Sequence, residues 1–290
     1  MKKVAYFLFI SVSFIHAQQH ELGLMLGGMY YMGDLNPIYP FLQTQPSVGG
    51  FYRYNVNSRM SVRIQGLLGA IKGDDNKSKF YPDRKLSFSS SIIEMGGIYE
   101  LTYKKFIIGS EKYKFTPYLF IGAMLTRYNP RVKVGDTTYY LHQLGTEGQG
   151  TTAYPDRKPY SLITFSMPFG MGVKWNVTGS LVVGLEWGMR MTFTDYLDDC
   201  SKTYPDPLVI ATQNGNNVVN LSDPTYAITG SKEGFDRGNP QTKDWYGWAG
   251  LVLTLKIKDK SSTCHGSSKK TNIKTWFNKL KDENNFIFNR

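Results

Sequence analysis

The sequence predicts an all-β fold: an eight-stranded antiparallel transmembrane β-barrel with short periplasmic turns, long outer loops and a basic periplasmic C-terminal tail. Three observations predict it. The stretch from Ile163 to Phe193 holds two alternating runs separated by a short turn. The N-terminus has the form of an export signal, and no later segment has the 18 or so consecutive apolar residues of a membrane helix. In the first run Ile163, Phe165, Met167, Phe169, Met171, Val173 and Trp175 alternate with small, polar or charged residues. In the second, Leu181, Val183, Leu185, Trp187, Met189, Met191 and Phe193 do the same. Period two means strand, because successive side chains point to opposite faces. Each run exceeds the roughly 9–11 residues that a tilted strand needs to cross a bilayer.

The elements follow in chain order. Lys2 and Lys3 precede an apolar stretch, Val4 to Ile15, that is too short to span a membrane, and Ala17 and Gln18 flank a plausible cleavage site. Residues 1–17 are therefore read as a signal peptide, 18–258 as the barrel and 259–290 as the tail. The first strand carries Leu22, Leu24 and Leu26 against Glu21, Gly23 and Met25 and ends near Tyr31. Val48 to Tyr54 is the second, turned by residues 55–58 into a third with Met60, Val62, Ile64, Gly66 and Leu68 on one face. The fourth sets Ile93, Met95, Gly97, Tyr99 and Leu101 opposite Glu94 and Glu100, and the fifth, Pro117 to Arg127, leaves its face ambiguous. The two opening runs are sixth and seventh, and Trp245 to Ile257 is the eighth.

Eight is even, as single-chain bacterial barrels require, and puts both termini in the periplasm of a chain located in the outer membrane. The turns after the second and sixth strands are then short and periplasmic, and the long connections lie outside. The segment Thr102 to Lys114 departs from that asymmetry: it is a longer periplasmic turn with Lys104, Lys105, Lys112 and Lys114, and a candidate contact surface. Composition is compatible. The chain has 41% hydrophobic and 14% aromatic residues but a mean hydropathy of −0.33, as expected where each lipid-facing residue is diluted by one facing the lumen. Tyr30, Tyr31, Tyr52, Tyr54, Tyr99, Tyr103, Tyr118, Tyr128, Trp175 and Trp245, near strand ends, are expected to form interfacial girdles.

An eight-stranded barrel is just wide enough to be filled by its own side chains. The inward set includes Glu21, Arg53, Arg63, Glu94, Glu100, Lys174, Glu186 and Arg190, with both signs together. Buried charges must pair, so Arg63, Glu94, Glu186 and Arg190 are expected in a salt-bridged network that closes the lumen. A narrow conducting path through that network is the alternative.

The tail carries seven basic and three acidic side chains, and Ile273, Trp276, Phe277 and Leu280 fall at i, i+3, i+4 and i+7, one face of a short helix. Such a helix needs a partner surface to form. The topology puts Cys200 and Cys264 on opposite sides of the membrane, so the two are not expected to pair; each is free or meets a cysteine of another chain. Asp195, Asp198, Asp199 and Asp206 could offer oxygen ligands to Ca²⁺, but match no EF-hand spacing and read as solvated or loop-capping residues. His142 is the one candidate for an outer-rim hydrolase, without a fixed acid and nucleophile beside it. The net charge of +11 sits largely in tail and loop edges and implies no nucleic acid partner. Neither an enzyme nor a cofactor is expected.

Several short motifs carry a family resemblance. The first outer loop contains Tyr31-Met32-Gly33-Asp34-Leu35-Asn36-Pro37, and the third contains Gly145-Thr146-Glu147-Gly148-Gln149-Gly150. The fourth opens with Asp195-Tyr196-Leu197-Asp198-Asp199 and closes with Arg237-Gly238-Asn239-Pro240, and Asp244-Trp245-Tyr246 begins the last strand. In order and placement, from about Gln18 to Lys258, these resemble the PorG-like outer-membrane barrels of the type IX secretion system. The resemblance implies a structural part in protein export, contact with the periplasmic ring of PorK-like lipoprotein and PorN-like protein, and no catalytic residues. The tail and the Thr102 to Lys114 turn are the expected docking surfaces. The alternative is a small outer-membrane barrel acting as a channel or as a ligand-binding or adhesion protein.

Overall fold

The computed structural model describes residues 19–257. The signal segment, the Ala17/Gln18 junction and the tail with Cys264, Ile273, Trp276, Phe277 and Leu280 lie outside the described residues. The described strands are β1 (Gln19–Met32), β2 (Gln45–Asn55), β3 (Met60–Asp74), β4 (Ser87–Thr102), β5 (Phe115–Val134), β6 (Thr137–Tyr140), β7 (Ile163–Asn176), β8 (Leu181–Thr192) and β9 (Trp245–Lys256). All of them except β6 close an antiparallel barrel. Its seam runs between the first and last strands, from Glu21↔Lys256 to Met32↔Trp245. Closure satisfies every strand edge, which is what allows a sheet to sit in lipid.

The expected eight-strand architecture is present, and each predicted strand lies within an observed one, apart from Phe193 at the end of the seventh and Ile257 at the end of the eighth. β5 is much longer than its predicted core. Beyond Arg127 it stays paired with β4 as far as Ser89↔Arg131, continues to Val134 and pairs back on β6, Arg131↔Tyr140 to Val134↔Thr137, as a hairpin. Its ambiguous face resolves: Leu119, Ile121 and Leu125 point outward while Tyr118, Phe120, Met124 and Tyr128 are buried inside. Large residues on both faces hid the alternation. The β5–β7 ladder lapses between Ile121↔Phe169 and Met124↔Ser166, opposite Pro168, which has no N–H to donate.

The outer wall is an apolar belt. Leu22, Leu24, Ile64, Met95, Leu119, Phe165, Leu185 and Leu255 are each more than 40% exposed, which is tolerable only against lipid. Tyr52, Tyr99, Tyr103 and Trp175 contribute to its aromatic margins. Tyr30, Tyr31, Tyr118 and Tyr128 do not, contrary to the girdle expectation, because all four are buried. Tyr30 lies under Phe41, ring centroids 4.5 Å apart, and accepts a hydrogen bond from Trp187 Nε1 at 2.9 Å. Tyr31, Tyr118 and Tyr128 fill the interior. Leu24→Arg is expected to lower the stability of the folded barrel by about 2–4 kcal/mol if Leu24 sits near the bilayer midplane. Urea titration in lipid vesicles checks it.

The connections at one end are short, residues 56–59 and 177–180; at the other they are long. Four short helices fall in the long loops: α1 (Asp75–Ser78), α2 (Pro207–Gln213), α3 (Asn216–Ser222) and α4 (Tyr226–Thr229). Asp206 caps α2 by accepting from Leu208 N, with Pro207 in the first turn, where a missing N–H costs nothing. None was anticipated, since each is too short to show a helical period.

Candidate functional site: a filled lumen between a loop plug and a basic rim

The lumen is filled in tiers. Near the short-turn end Glu100 is the hub: Oε1 lies 3.0 Å from Arg53 Nη2 and 3.2 Å from Arg63 Nη1, and Oε2 lies 2.5 Å from Lys174 Nζ. Arg53 also pairs with Glu21 at 2.8 Å, and Arg63 with Glu186 at 2.8 Å. Tyr118 donates to Glu186 at 2.6 Å. These side chains are 0–6% exposed. Two buried apolar clusters adjoin them, Met25, Phe51 and Trp248 in one and Ile98 and Phe120 in the other, with the Arg53 guanidinium 4.6 Å from the centre of the Phe51 ring. A second polar tier follows, in which Arg190 pairs with Glu94 at 3.3 Å and Tyr246 donates to Glu94 at 2.6 Å. Arg63 and Glu186 thus belong to one tier, and Glu94 and Arg190 to another.

The long loops close the mouth above this stack. Residues far apart in sequence meet in one buried polar plug. Arg237 is held by Glu147 at 3.2 Å and by Asp199, through its side chain at 3.4 Å and its carbonyl. Glu147 also accepts from the backbone of Ser201 and Lys202, which ties the third long loop to the fourth. Arg84 ion-pairs with Asp75 at 2.7 Å and donates to the carbonyls of Asp34 and Arg237, which ties the second to the first and fourth. Asn239 N donates to Asp34 at 2.9 Å. The motif residues Gly33, Asp34, Asp195, Asp198, Asp199 and Gly238 therefore converge, whereas Asn239, bonded to Asp34 at the edge, and Pro240 are exposed. Tyr196 stacks on Tyr160 with centroids 4.3 Å apart. Gly33 and Gly238 are required by close approach: a Cβ on Gly33 would fall 2.1 Å from Asp244 Oδ1, and one on Gly238 2.5 Å from Asp34 Oδ2.

The plug corrects the solvated reading of the aspartates, while the loop-capping alternative holds for Asp198, which accepts from Cys200 N, and for Asp206. Asp195, Asp198 and Asp199 are buried rather than solvated, because the fourth loop folds down into the mouth instead of out into water. Cys200 is buried at 1% exposure and free, the first of the two states expected for it. His142 hydrogen-bonds the carbonyl of Tyr160 at 2.8 Å and packs edge-on against its ring, a position that locks the loop. Asp75 and Arg84 had no signal in the sequence, since their roles depend on loop trajectories.

Burial pushes these carboxyls up. Asp195 rises to about 7 and Asp199 to about 6, the latter despite Arg237. Asp198 is raised well above the usual range by burial and by the charge of Asp244, and Asp244 by burial and by the charge of Asp195. Geometry agrees: Tyr31 Oη lies 2.6 Å from Asp198 and 2.8 Å from Asp244, and with one proton to donate it can satisfy both only if one carboxyl is protonated. A carboxyl raised in the folded state stabilises it fully below the unfolded value near 4, and that contribution is lost as pH climbs through the folded value. Cleavage within residues 201–236 by a nonspecific protease, normalised to an unstructured substrate, is therefore expected to increase between about pH 4 and pH 7.

At the opposite end the Tyr103 to Lys114 segment is a folded platform. Phe106 N donates to Ser58 O at 2.9 Å, and Asn176 Nδ2 donates to the carbonyls of Ile107 and Tyr113, so three turns are tied together. Lys104, Lys105, Lys112 and Lys114 are exposed around it, beside Tyr103, which is 75% exposed, and Val177.

A family model described as Domain of unknown function (DUF6089) matches residues 2–232. No curated protein matches the sequence. Among solved structures the chain is similar to the N-terminal β-barrel domain of Pseudomonas aeruginosa OprF, with 10% identity and a TM-score of 0.34 over 83% of this chain and 100% of that one. It is also similar to Ail, the attachment invasion locus protein of Yersinia pestis, in complex with a heparin analogue, at 9% identity and a TM-score of 0.37. Neisserial surface protein A is a third, at 9% and 0.36; each of these two alignments covers 83% of this chain and 97% of the other.

Proposed function

Since the chain belongs to the DUF6089 family, whose description assigns no activity, we propose its function from its own geometry and motifs: a structural, non-catalytic outer-membrane component of a type IX-like protein export machinery. In this reading the plugged end faces outward and the short-turn end faces the periplasm, where it meets a ring of PorK-like lipoprotein and PorN-like protein. The observation that carries the reading is the filled lumen. Fully buried ion pairs crossing an eight-stranded barrel leave no aqueous route for cargo, so the barrel acts through its ends. At the short-turn end a tied platform presents four lysines and exposed apolar groups, the composition of a preformed contact surface. The ring partner is what the resemblance of the loop motifs to the PorG-like barrels implies. The amphipathic face of Ile273, Trp276, Phe277 and Leu280, with Cys264 upstream, would add a helix-in-groove contact.

The test is a mild-detergent pull-down of the tagged barrel, full length and ending at Lys258, with bound proteins identified by mass spectrometry. Recovery of the ring proteins by the full-length chain alone assigns docking to the tail, and recovery by both assigns it to the Thr102 to Lys114 platform. Recovery by neither would overturn the reading.

A further inference from the structure

The long-loop end contains a chamber bordered by the plug residues Asp198, Cys200 and Arg237. It has a volume of about 490 Å³ and lies between the β5–β6 hairpin, the start of β4 and the fourth long loop. That volume is within the range of small-molecule sites, roughly 300–1,000 Å³. Leu86, Val132, Leu141 and Leu221 supply apolar walls.

Three basic residues, Lys85, Lys133 and Arg237, and one acidic residue, Asp198, line this chamber. Lys85 and Lys133 line it and are exposed, and no ion pair engages either among the described residues. They come from neighbouring strand ends: the β4–β5 ladder stops at Ser89↔Arg131, and each lysine lies a few residues beyond it. Lys85 is held at φ +56°, a left-handed conformation that a non-glycine residue keeps only where its surroundings impose it. Arg237, which also reaches the chamber, is neutralised by Glu147 and Asp199. Asp198, the acidic residue of the lining, is engaged by Tyr31 Oη and Cys200 N within the plug, which leaves the two lysines as the exposed charges without an ion-pair partner at a space whose walls also carry Ser87 and Asn220.

We propose that this chamber is a binding site for a single-chain amphipathic anion, with the aliphatic body against Leu86, Val132, Leu141 and Leu221 and the anionic head between Lys85 and Lys133. The volume suits one aliphatic chain and excludes a two-chain phospholipid. Apolar walls supply most of the binding and a few placed charges fix orientation, the usual division of labour in such sites. A cation of the same shape would meet like charge, so the site discriminates by sign. This inference is independent of any role in export.

The experiment uses the full chain in phosphatidylcholine nanodiscs with two photoactivatable probes of equal length, diazirine-dodecanoate and diazirine-dodecylamine, and maps adducts by mass spectrometry. Dodecanoate is expected to label the 132–141 and 220–224 segments at least tenfold more than the amine. That labelling should fall at least tenfold in Lys85→Ala/Lys133→Ala and be retained in Lys85→Arg/Lys133→Arg. A second variant, Leu221→Trp, narrows the chamber without touching charge and should also reduce labelling. Equal labelling by both probes, labelling confined to the outward belt, or an unchanged yield in the double alanine variant would overturn the proposal. Both lysines are exposed, so the alanine variants should fold, and a heat-modifiability gel checks it.

Discussion

Glu100→Gln is expected to be the most damaging single conservative change in the barrel. Glu100 is the common partner of Arg53, Arg63 and Lys174, and the amide keeps shape while removing charge. Arg53 and Arg63 retain Glu21 and Glu186, but Lys174 is left buried with no carboxylate partner among the ion pairs described. Breaking a buried pair by removing one partner typically costs about 3–5 kcal/mol, because a desolvated charge remains. The expected result is a matching loss of stability in a urea titration monitored by the gel shift between folded and unfolded barrel. Pairing the change with Lys174→Met should recover part of it, since removing both partners deletes the stranded charge as well. If Glu100→Gln alone is neutral, the tier is not the electrostatic hub described.

Arg237→Met is the second. It strips Glu147 and Asp199 of their cation at the centre of the plug, and removes donors to the carbonyls of Asp199 and Ser222. By the same reasoning the plug should lose about 3–5 kcal/mol. The loss should be local, because strand pairing does not depend on Arg237. Protease should cut within residues 201–236 at a much higher rate while the barrel band stays heat-modifiable. Loss of the folded barrel band itself would mean that the plug and the strands form one cooperative unit.

The two sites differ in how far the sequence reveals them. The lumen charges were legible because period two assigns each residue of a strand to a face; Glu94, Glu186 and Arg190 fall inward by parity alone. In the fifth strand large residues on both faces leave parity undecided, so only position near a strand end speaks for Tyr118 and Tyr128, and the structure buries both inside. The plug was only half legible. Gly33, Asp34, Asp199 and Gly238 stood out as motifs, but local reading made the aspartates solvated turn residues. Their burial depends on Arg84 and Arg237, more than 150 positions apart in the chain and brought together only by the folded loops. The β5–β6 hairpin was missed because its strands continue the alternation beyond the span a bilayer requires.

Conductance of the purified full-length barrel in a planar bilayer tests the central claim most directly. A lumen packed with paired charges and capped by a buried loop plug predicts no discrete current steps at either polarity. Stable single-channel steps whose amplitude changes in Glu100→Gln or Arg190→Met would show that ions pass through the charge network, and would contradict the account.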